Sequence, residues 1–283
     1  DPDRSSVFNA LNLNKQSVQL NLKRPEALDL AYRLVAISDV VIENMRPGVM
    51  DRLGLGYRRL RQENPTIVMA SISNGGASGP EASYPGYAAV FNGLSGMGHL
   101  TGFPDGPPTE IRDSTDARVA TNASYAVLVA LFHRLRTGEG QLIDLSSREA
   151  ITVPAAEALM DYVMNQRVPG RQGNRDPAMA PHGCYRCKGE DSWITIAVGS
   201  DAEWEALCRV AGHRDWAADP GLADPFLRHR NHDVLDGLVE GWTQGHTAHE
   251  LAEMLQSAGV AASPSMSSRD LAEDAHLESR GAW

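Results

Sequence analysis

Apolar and polar residues alternate from Ser17 to Leu22, with Val18, Leu20 and Leu22 set against Gln19 and Asn21, which is the period of a half-buried strand. The period then lengthens. Pro25 suits a first helical position, and Ala27, Leu28, Leu30, Ala31, Leu34 and Val35 recur at helical spacing up to Ser38. Asp39-Val40-Val41-Ile42-Glu43-Asn44 follows, a β-branched run between polar residues that reads as a strand buried on both faces. The alternation continues with a helix over 57–63, a strand over 66–72 and a glycine-rich loop from Asn74 to Pro80. Strands separated by helices predict α/β architecture: a Rossmann-like open parallel sheet with helices on both faces.

A second loop rich in Gly and Pro runs from Thr101 to Pro108, and Arg118 to Leu135 then reads as a long, largely apolar helix ended by Arg136-Thr137-Gly138-Glu139-Gly140. A strand over 141–145 and a helix over 147–164 complete this part. Between 165 and 183 the composition shifts to Pro169, Gly170, Gly173, Pro177, Pro181 and Gly183, an irregular connection. Beyond it the pattern predicts a strand over 193–198, a helix capped by Asp201 and running to Val210, and helical segments over 231–244 and 247–258. The expected organisation is a large α/β domain over 1–164, a linker over 165–185 and a smaller, mostly helical α+β domain over 186–283.

Composition narrows the function classes. A chain of 283 residues with 42% hydrophobic composition can bury one sizeable core and a smaller second one. A formal charge of −10 with scattered Lys and Arg argues against a nucleic-acid surface. No run approaches the length of an apolar membrane span, and Asp1-Pro2-Asp3-Arg4 forms neither a signal peptide nor a transit helix, so a soluble cytoplasmic protein is expected. Three cysteines fit a reducing compartment. The absence of an initial methionine and the abrupt entry at Ser6-Val7-Phe8 lead to the expectation of a fragment or processed chain.

The local motifs leave the chemistry open. Gly54-Leu55-Gly56 lacks the third glycine of a dinucleotide fingerprint, and Cys184-Tyr185-Arg186-Cys187 lacks a second ligand pair for zinc and reads as a strand-edge pair of free thiols. Lys15, Arg46 and Arg52 lie where a phosphorylated ligand would approach the sheet's carboxyl edge, or are simply solvated cations. Asp113-Ser114-Thr115-Asp116 precedes the long helix and is either an N-cap or the setting of a carboxylate nucleophile.

Several blocks, taken in order, resemble one family. They are Leu13-Asn14-Lys15-Gln16-Ser17, Glu43-Asn44-Met45-Arg46-Pro47-Gly48, Leu53-Gly54-Leu55-Gly56-Tyr57, Pro85-Gly86-Tyr87, Leu94-Ser95-Gly96, Thr101-Gly102-Phe103-Pro104-Asp105-Gly106-Pro107-Pro108 and Arg136-Thr137-Gly138-Glu139-Gly140-Gln141. Together the chain is similar to the family III CoA-transferases, the CaiB/BaiF family. The resemblance implies CoA transfer between an acyl-CoA and a free carboxylic acid, with Asp116, twenty residues before the Arg136 block, as the catalytic nucleophile. It implies CoA contacts at Asn14, Lys15, Asn44, Arg46, Arg52 and Tyr87. It also implies no metal, no tightly bound cofactor, coenzyme A as substrate, no membrane or nucleic-acid partner, a loop at Gly170-Arg171-Gln172-Gly173-Asn174 over the reacting group, and an interlocked homodimer. Family members begin earlier and run on past Trp283, back onto the large domain. An α-methylacyl-CoA racemase of the same fold and a non-catalytic CoA-binding subunit are the alternatives. Tyr87 stands where a racemase would need a histidine, and a phenol is a poor general base at neutral pH. His99 and His182 remain available to a pocket.

Overall fold

The computed structural model describes residues 5–110 and 114–282. They form two compact units, one running to Thr101 and resuming over Pro108–Pro169, the other made of Gly102–Pro107 and the chain from Gly170 onward.

The first unit opens with α1 (Ser6–Leu11) and α2 (Pro25–Ala36), the latter started by its proline and burying Ala27, Ala31 and Val35 along one stripe. Then come β1 (Val40–Glu43), α3 (Val49–Arg52), α4 (Tyr57–Glu63) and β2 (Val68–Ser73). After the glycine-rich loop the chain forms α5 (Ala88–Leu94), α6 (Met97–Leu100), the long α7 (Ser114–Thr137), β3 (Leu142–Ser146), α8 (Ser147–Thr152) and α9 (Ala156–Asn165). The strands form one parallel sheet in the order β1-β2-β3, with Val40 opposite Val68 and Ser71 opposite Asp144. Strands joined through helices on the sheet faces are the α/β arrangement the pattern predicts.

Gly140 has a physical reason to be glycine: a Cβ there would stand 2.2 Å from the carbonyl oxygen of Ile67, so any side chain would push β3 off β2. Two apolar clusters hold the unit. One joins Ala31, Val35, Leu55, Leu60, Ile67 and Met69. The other joins Phe91, Val119 and Ile151, with Ile72 and Leu145 packed against it.

Four expectations fail here. Residues 17–22 form no strand: among the described residues no strand pairs with them, the Asn21 carbonyl accepts from the Arg24 N–H at 2.9 Å in a turn, and Leu20 and Leu22 pack against the first cluster from irregular backbone. β1 is not buried on both faces, because Ile42 is 63% exposed. The helix expected over 147–164 is broken by a 3₁₀ turn at Val153–Ala155, where Pro154 has no N–H to continue the ladder. The long helix starts at Ser114 rather than Arg118, so Asp116 lies inside its first turn.

The second unit contains β4 (His182–Arg186), β5 (Trp193–Ala197), α10 (Asp201–Ala211), α11 (Arg214–Ala218), α12 (Pro225–Arg230), α13 (His232–Thr243), α14 (Ala248–Ser257), β6 (Ala261–Pro264), α15 (Ser268–Ala272) and α16 (Ala275–Ser279). Its sheet is antiparallel in the order β4-β5-β6, with His182 opposite Ala197 and Ile194 opposite Pro264. β4 begins inside the stretch expected to be irregular, because strand pairing satisfies a backbone that its glycine and proline neighbours disguise. Asp201 is not the cap of α10. Ser200 accepts from the Glu203 N–H in a reciprocal capping box, and Asp201 turns to the Arg228 guanidinium, its Oδ1 at 2.6 Å from Nη2.

Candidate active site

Topology brings the chemistry to one edge. α7 ends at Thr137 and the chain enters β3 at Leu142, so α7 runs back along the sheet and its start lies at the carboxyl ends of the strands. α8 leaves β3 directly at Ser147, at that same edge. Val119 and Ile151, one turn into α7 and α8, meet Phe91 of α5 and the strand-end residues Ile72 and Leu145 in one cluster. Open α/β sheets bind their ligands at this edge.

The loop leaving β2 is held rigidly. The Ala77 N–H donates to both carboxylate oxygens of Asp144, at 3.0 and 3.1 Å, and the Arg148 N–H donates to the Asn74 carbonyl at 3.0 Å. The Ser146 hydroxyl donates to that same carbonyl at 3.4 Å, and the Arg148 guanidinium pairs with Glu81. Inside this frame Ser73 Oγ and Asn74 Oδ1 are buried with no hydrogen-bond partner among the described residues. Such orphans are few in folded proteins, and two neighbours at a strand end mark polar groups still open to a partner.

Two cavities flank the loop. One of about 480 Å³ is lined by Glu43, Met45, Gly48, Asp51, Arg58 and Ser73 among others. The second, about 1030 Å³, is lined by residues including Ser78, Glu81, Ser95, Arg148, Glu149 and Leu159.

Asp116 is exposed in the first turn of α7, between buried Thr115 and Val119. Its carboxylate accepts no hydrogen bond from another described residue, and the helix N-terminus favours its negative charge. Asp113 lies outside the described residues. Asn44 and Arg46 follow β1 in a loop that Glu43 shapes by accepting the Met45 N–H at 2.7 Å, and Arg52 closes α3. All three are exposed beside the lining of the smaller cavity. Asn14 and Lys15 sit in the turn after α1, Asn14 with a left-handed φ of 59°. The Lys15 ammonium donates to the Leu11 carbonyl at 2.6 Å, closing that helix, and neither residue lines the two cavities. Tyr87 is 84% exposed at the N-cap of α5. Sequence reading missed Asp144, Arg148 and Glu81. Asp144 had a legible signal, as a carboxylate inside the apolar run Leu142-Ile143-Asp144-Leu145.

Other chemistries lose their footing. Gly54-Leu55-Gly56 lies between α3 and α4, where Tyr32 donates to the Gly54 carbonyl at 3.0 Å, and not between a strand and a helix. Strand alternation turns Tyr185 and Cys187 into the core and Cys184 the other way, so the two thiols of the C-x-x-C face apart. Burial raises the pKa of both, and pushes Cys208 up to about 12, which keeps these groups as thiols at neutral pH. Among the described residues no group of His, Cys, Asp and Glu is placed to hold a metal, and no helix is long and apolar enough to cross a membrane.

A family model described as CoA-transferase family III matches residues 1–283. Among curated proteins, a succinyl-CoA–D-citramalate CoA-transferase of Chloroflexus aurantiacus is 33% identical over 98% of this chain and 69% of its own length. An acetyl-CoA:oxalate CoA-transferase of Acetobacter aceti is 35% identical over 97% of this chain and 70% of its own. Among solved structures, a CAIB/BAIF family protein from Brucella suis superposes with a TM-score of 0.86 at 32% identity, covering 94% of this chain and 70% of that one.

Proposed function

Because the chain belongs to CoA-transferase family III, and is by kind an acyl-CoA:carboxylate CoA-transferase, we propose that Asp116 carries the reaction as a covalent nucleophile. A carboxylate oxygen of Asp116 attacks the thioester carbonyl carbon of the donor and expels CoA thiolate, leaving a mixed anhydride. The thiolate attacks the aspartyl carbonyl and releases the donor acid, giving an aspartyl-CoA thioester. The acceptor carboxylate then attacks that thioester and frees the thiolate again. Attack of the thiolate on the acceptor's acyl carbon yields the new acyl-CoA and restores Asp116. No proton or electron is gained or lost across the cycle, and each step exchanges groups of similar energy. Backbone N–H groups at the sheet's carboxyl edge would stabilise the tetrahedral oxyanions.

The observation that carries this reading is the exposed carboxylate of Asp116, with no hydrogen-bond partner among the described residues, in the first turn of a 24-residue helix whose start lies at the ligand-binding edge. CoA would run over the exit loop of β1, contacting Asn44, Arg46 and Arg52, with Asn14, Lys15 and Tyr87 supplying further contacts. We further assign the acid exchanged to the dicarboxylic acids, since the similar proteins are named for succinyl, citramalate, oxalate and glutarate substrates. A second copy of the chain would cover the apolar faces of α7 and α9.

The test is mass spectrometry of the protein incubated with acyl-CoAs and trapped with hydroxylamine. A modification on Asp116 that is absent in Asp116→Asn supports the mechanism. Exchange of the α-proton of the acyl-CoA with no Asp116 adduct replaces it with the racemase chemistry.

A further inference from the structure

The larger cavity contains a guanidinium that the covalent chemistry does not use. Arg148, the second residue of α8, contacts Glu81 through Nη1 alone, and each side chain keeps 40% of its surface exposed. The other side-chain donors, Nε–H and Nη2–H, have no partner among the described residues, and together they form the edge of the guanidinium that meets a carboxylate in two parallel hydrogen bonds. Glu81 fixes the plane of the group, and the Arg148 N–H bond to Asn74 fixes its backbone.

Register ties Arg148 to the proposed nucleophile. Asp116 lies three residues before Val119, and Arg148 three residues before Ile151; Val119 and Ile151 share one cluster with Phe91. Both functional side chains therefore project from the first turn of neighbouring helices at one sheet edge. Beside Arg148 and the polar side chains of Glu81, Glu149 and Thr152, the wall carries an apolar or small stretch of Leu94, Gly96, Val153, Ala156 and Leu159, which suits the methylene body of a short acid.

We propose that Arg148 is the specificity-determining residue that binds the distal carboxylate of a dicarboxylic acyl group, oriented by Glu81 as a positioning residue. The proposal rests on the reading of Asp116 above. Glu81 and Glu149 line the same cavity and repel an anion, so only an acid that delivers its second carboxylate to the open edge of Arg148 gains from binding there.

The experiment compares succinyl-CoA with butyryl-CoA, equal in carbon count and differing in the terminal carboxylate, by the rate at which each modifies Asp116 in the trapping assay. The wild type is expected to prefer succinyl-CoA, and Arg148→Gln to lose about 10- to 100-fold in kcat/KM for succinyl-CoA alone, the effect of a charge-assisted pair of hydrogen bonds. Arg148→Lys, which keeps the charge without the paired geometry, should recover only part of this. Glu81→Gln keeps an acceptor for Nη1 and removes the competing charge, so it should lower KM for succinyl-CoA and leave butyryl-CoA nearly unchanged. Equal losses for both thioesters in Arg148→Gln, or a wild type indifferent to the terminal carboxylate, would overturn the assignment while Asp116 stands. Failure of every thioester to modify Asp116 would instead remove the reading on which it rests.

Discussion

The two units are built by opposite strategies. In the second, nineteen buried residues join in one cluster around β5 and helices α10, α13 and α14, with Ile194, Leu207, Leu235, Leu251, Leu255 and Val260 at 0% exposure. In the first, the described residues divide into clusters of six and three, and all but five of the exposed large hydrophobic side chains among the described residues belong to this unit. α7 makes the contrast plain. It buries the narrow stripe Thr115, Val119, Ala123 and Ala130, while Leu128, Phe132 and Leu135 on other faces are more than half exposed. A single well-filled core supplies stability within the unit. Apolar faces left open belong to surfaces that act by being covered.

The largest effect should come from the second core. Leu207→Ala or Leu251→Ala, each fully buried, is expected to cost about 2–5 kcal/mol in chemical denaturation, from lost burial and the cavity left behind. Leu128→Ala on α7 should cost well under that and act instead on the association state seen by light scattering. Equal stability losses at the two sites would erase the contrast.

A smaller loss is expected from Asp201→Asn. The Arg228 side chain is 2% exposed and its Nη2 donates to Asp201, so weakening this pair leaves a buried cation under-compensated, at about 1–3 kcal/mol. Gly173→Ala should cost roughly 1–3 kcal/mol, because φ is +62° and the new Cβ would meet the Phe103 ring at 2.8 Å. Its rise in proteolysis should be confined to the Gly102–Pro107 and Gly170–Asn174 segments.

The second unit should also weaken in mild acid. Burial lowers the pKa of His232 below its ordinary value of 6.5, against the pull of Asp236 and with Arg175 and His229 acting in the same direction as burial. The folded state then binds the proton less readily than the unfolded one, so stability is full above pH 6.5 and falls as pH drops below it, at no more than ~1.4 kcal/mol per pH unit for one proton. A denaturation series in which His232→Gln flattens this slope checks the assignment. The smallest effect belongs to the first unit's surface: Glu63→Gln, partner of Arg59 one turn away, should change stability by under about 0.5 kcal/mol.

Periodicity and punctuation determined much of this by themselves. The bounds of α4, the proline start of α2, the glycine block ending α7 and the parallel order of strands and helices all follow from local rules, since spacing of apolar residues and φ preferences act within a few residues. The ordered motif blocks carried the family, and through it the proposal that Asp116 is the nucleophile. What sequence could not decide were the properties that depend on a distant partner. Leu20 and Leu22 alternate like a strand, yet a ladder needs a second backbone beside it. Ile42 looks buried on both faces until the face it meets is known. Ser200, not Asp201, caps α10 because Asp201 has a buried cation to answer, and β4 appears only once β5 lies alongside. The same holds at the proposed site: Asp144 stands out in the chain as a carboxylate in an apolar run, but Arg148 and Glu81 do not, and the three act together only where the sheet's carboxyl edge gathers them, because hydrogen-bond geometry and exclusion of water are set by folded neighbours and not by position in the sequence.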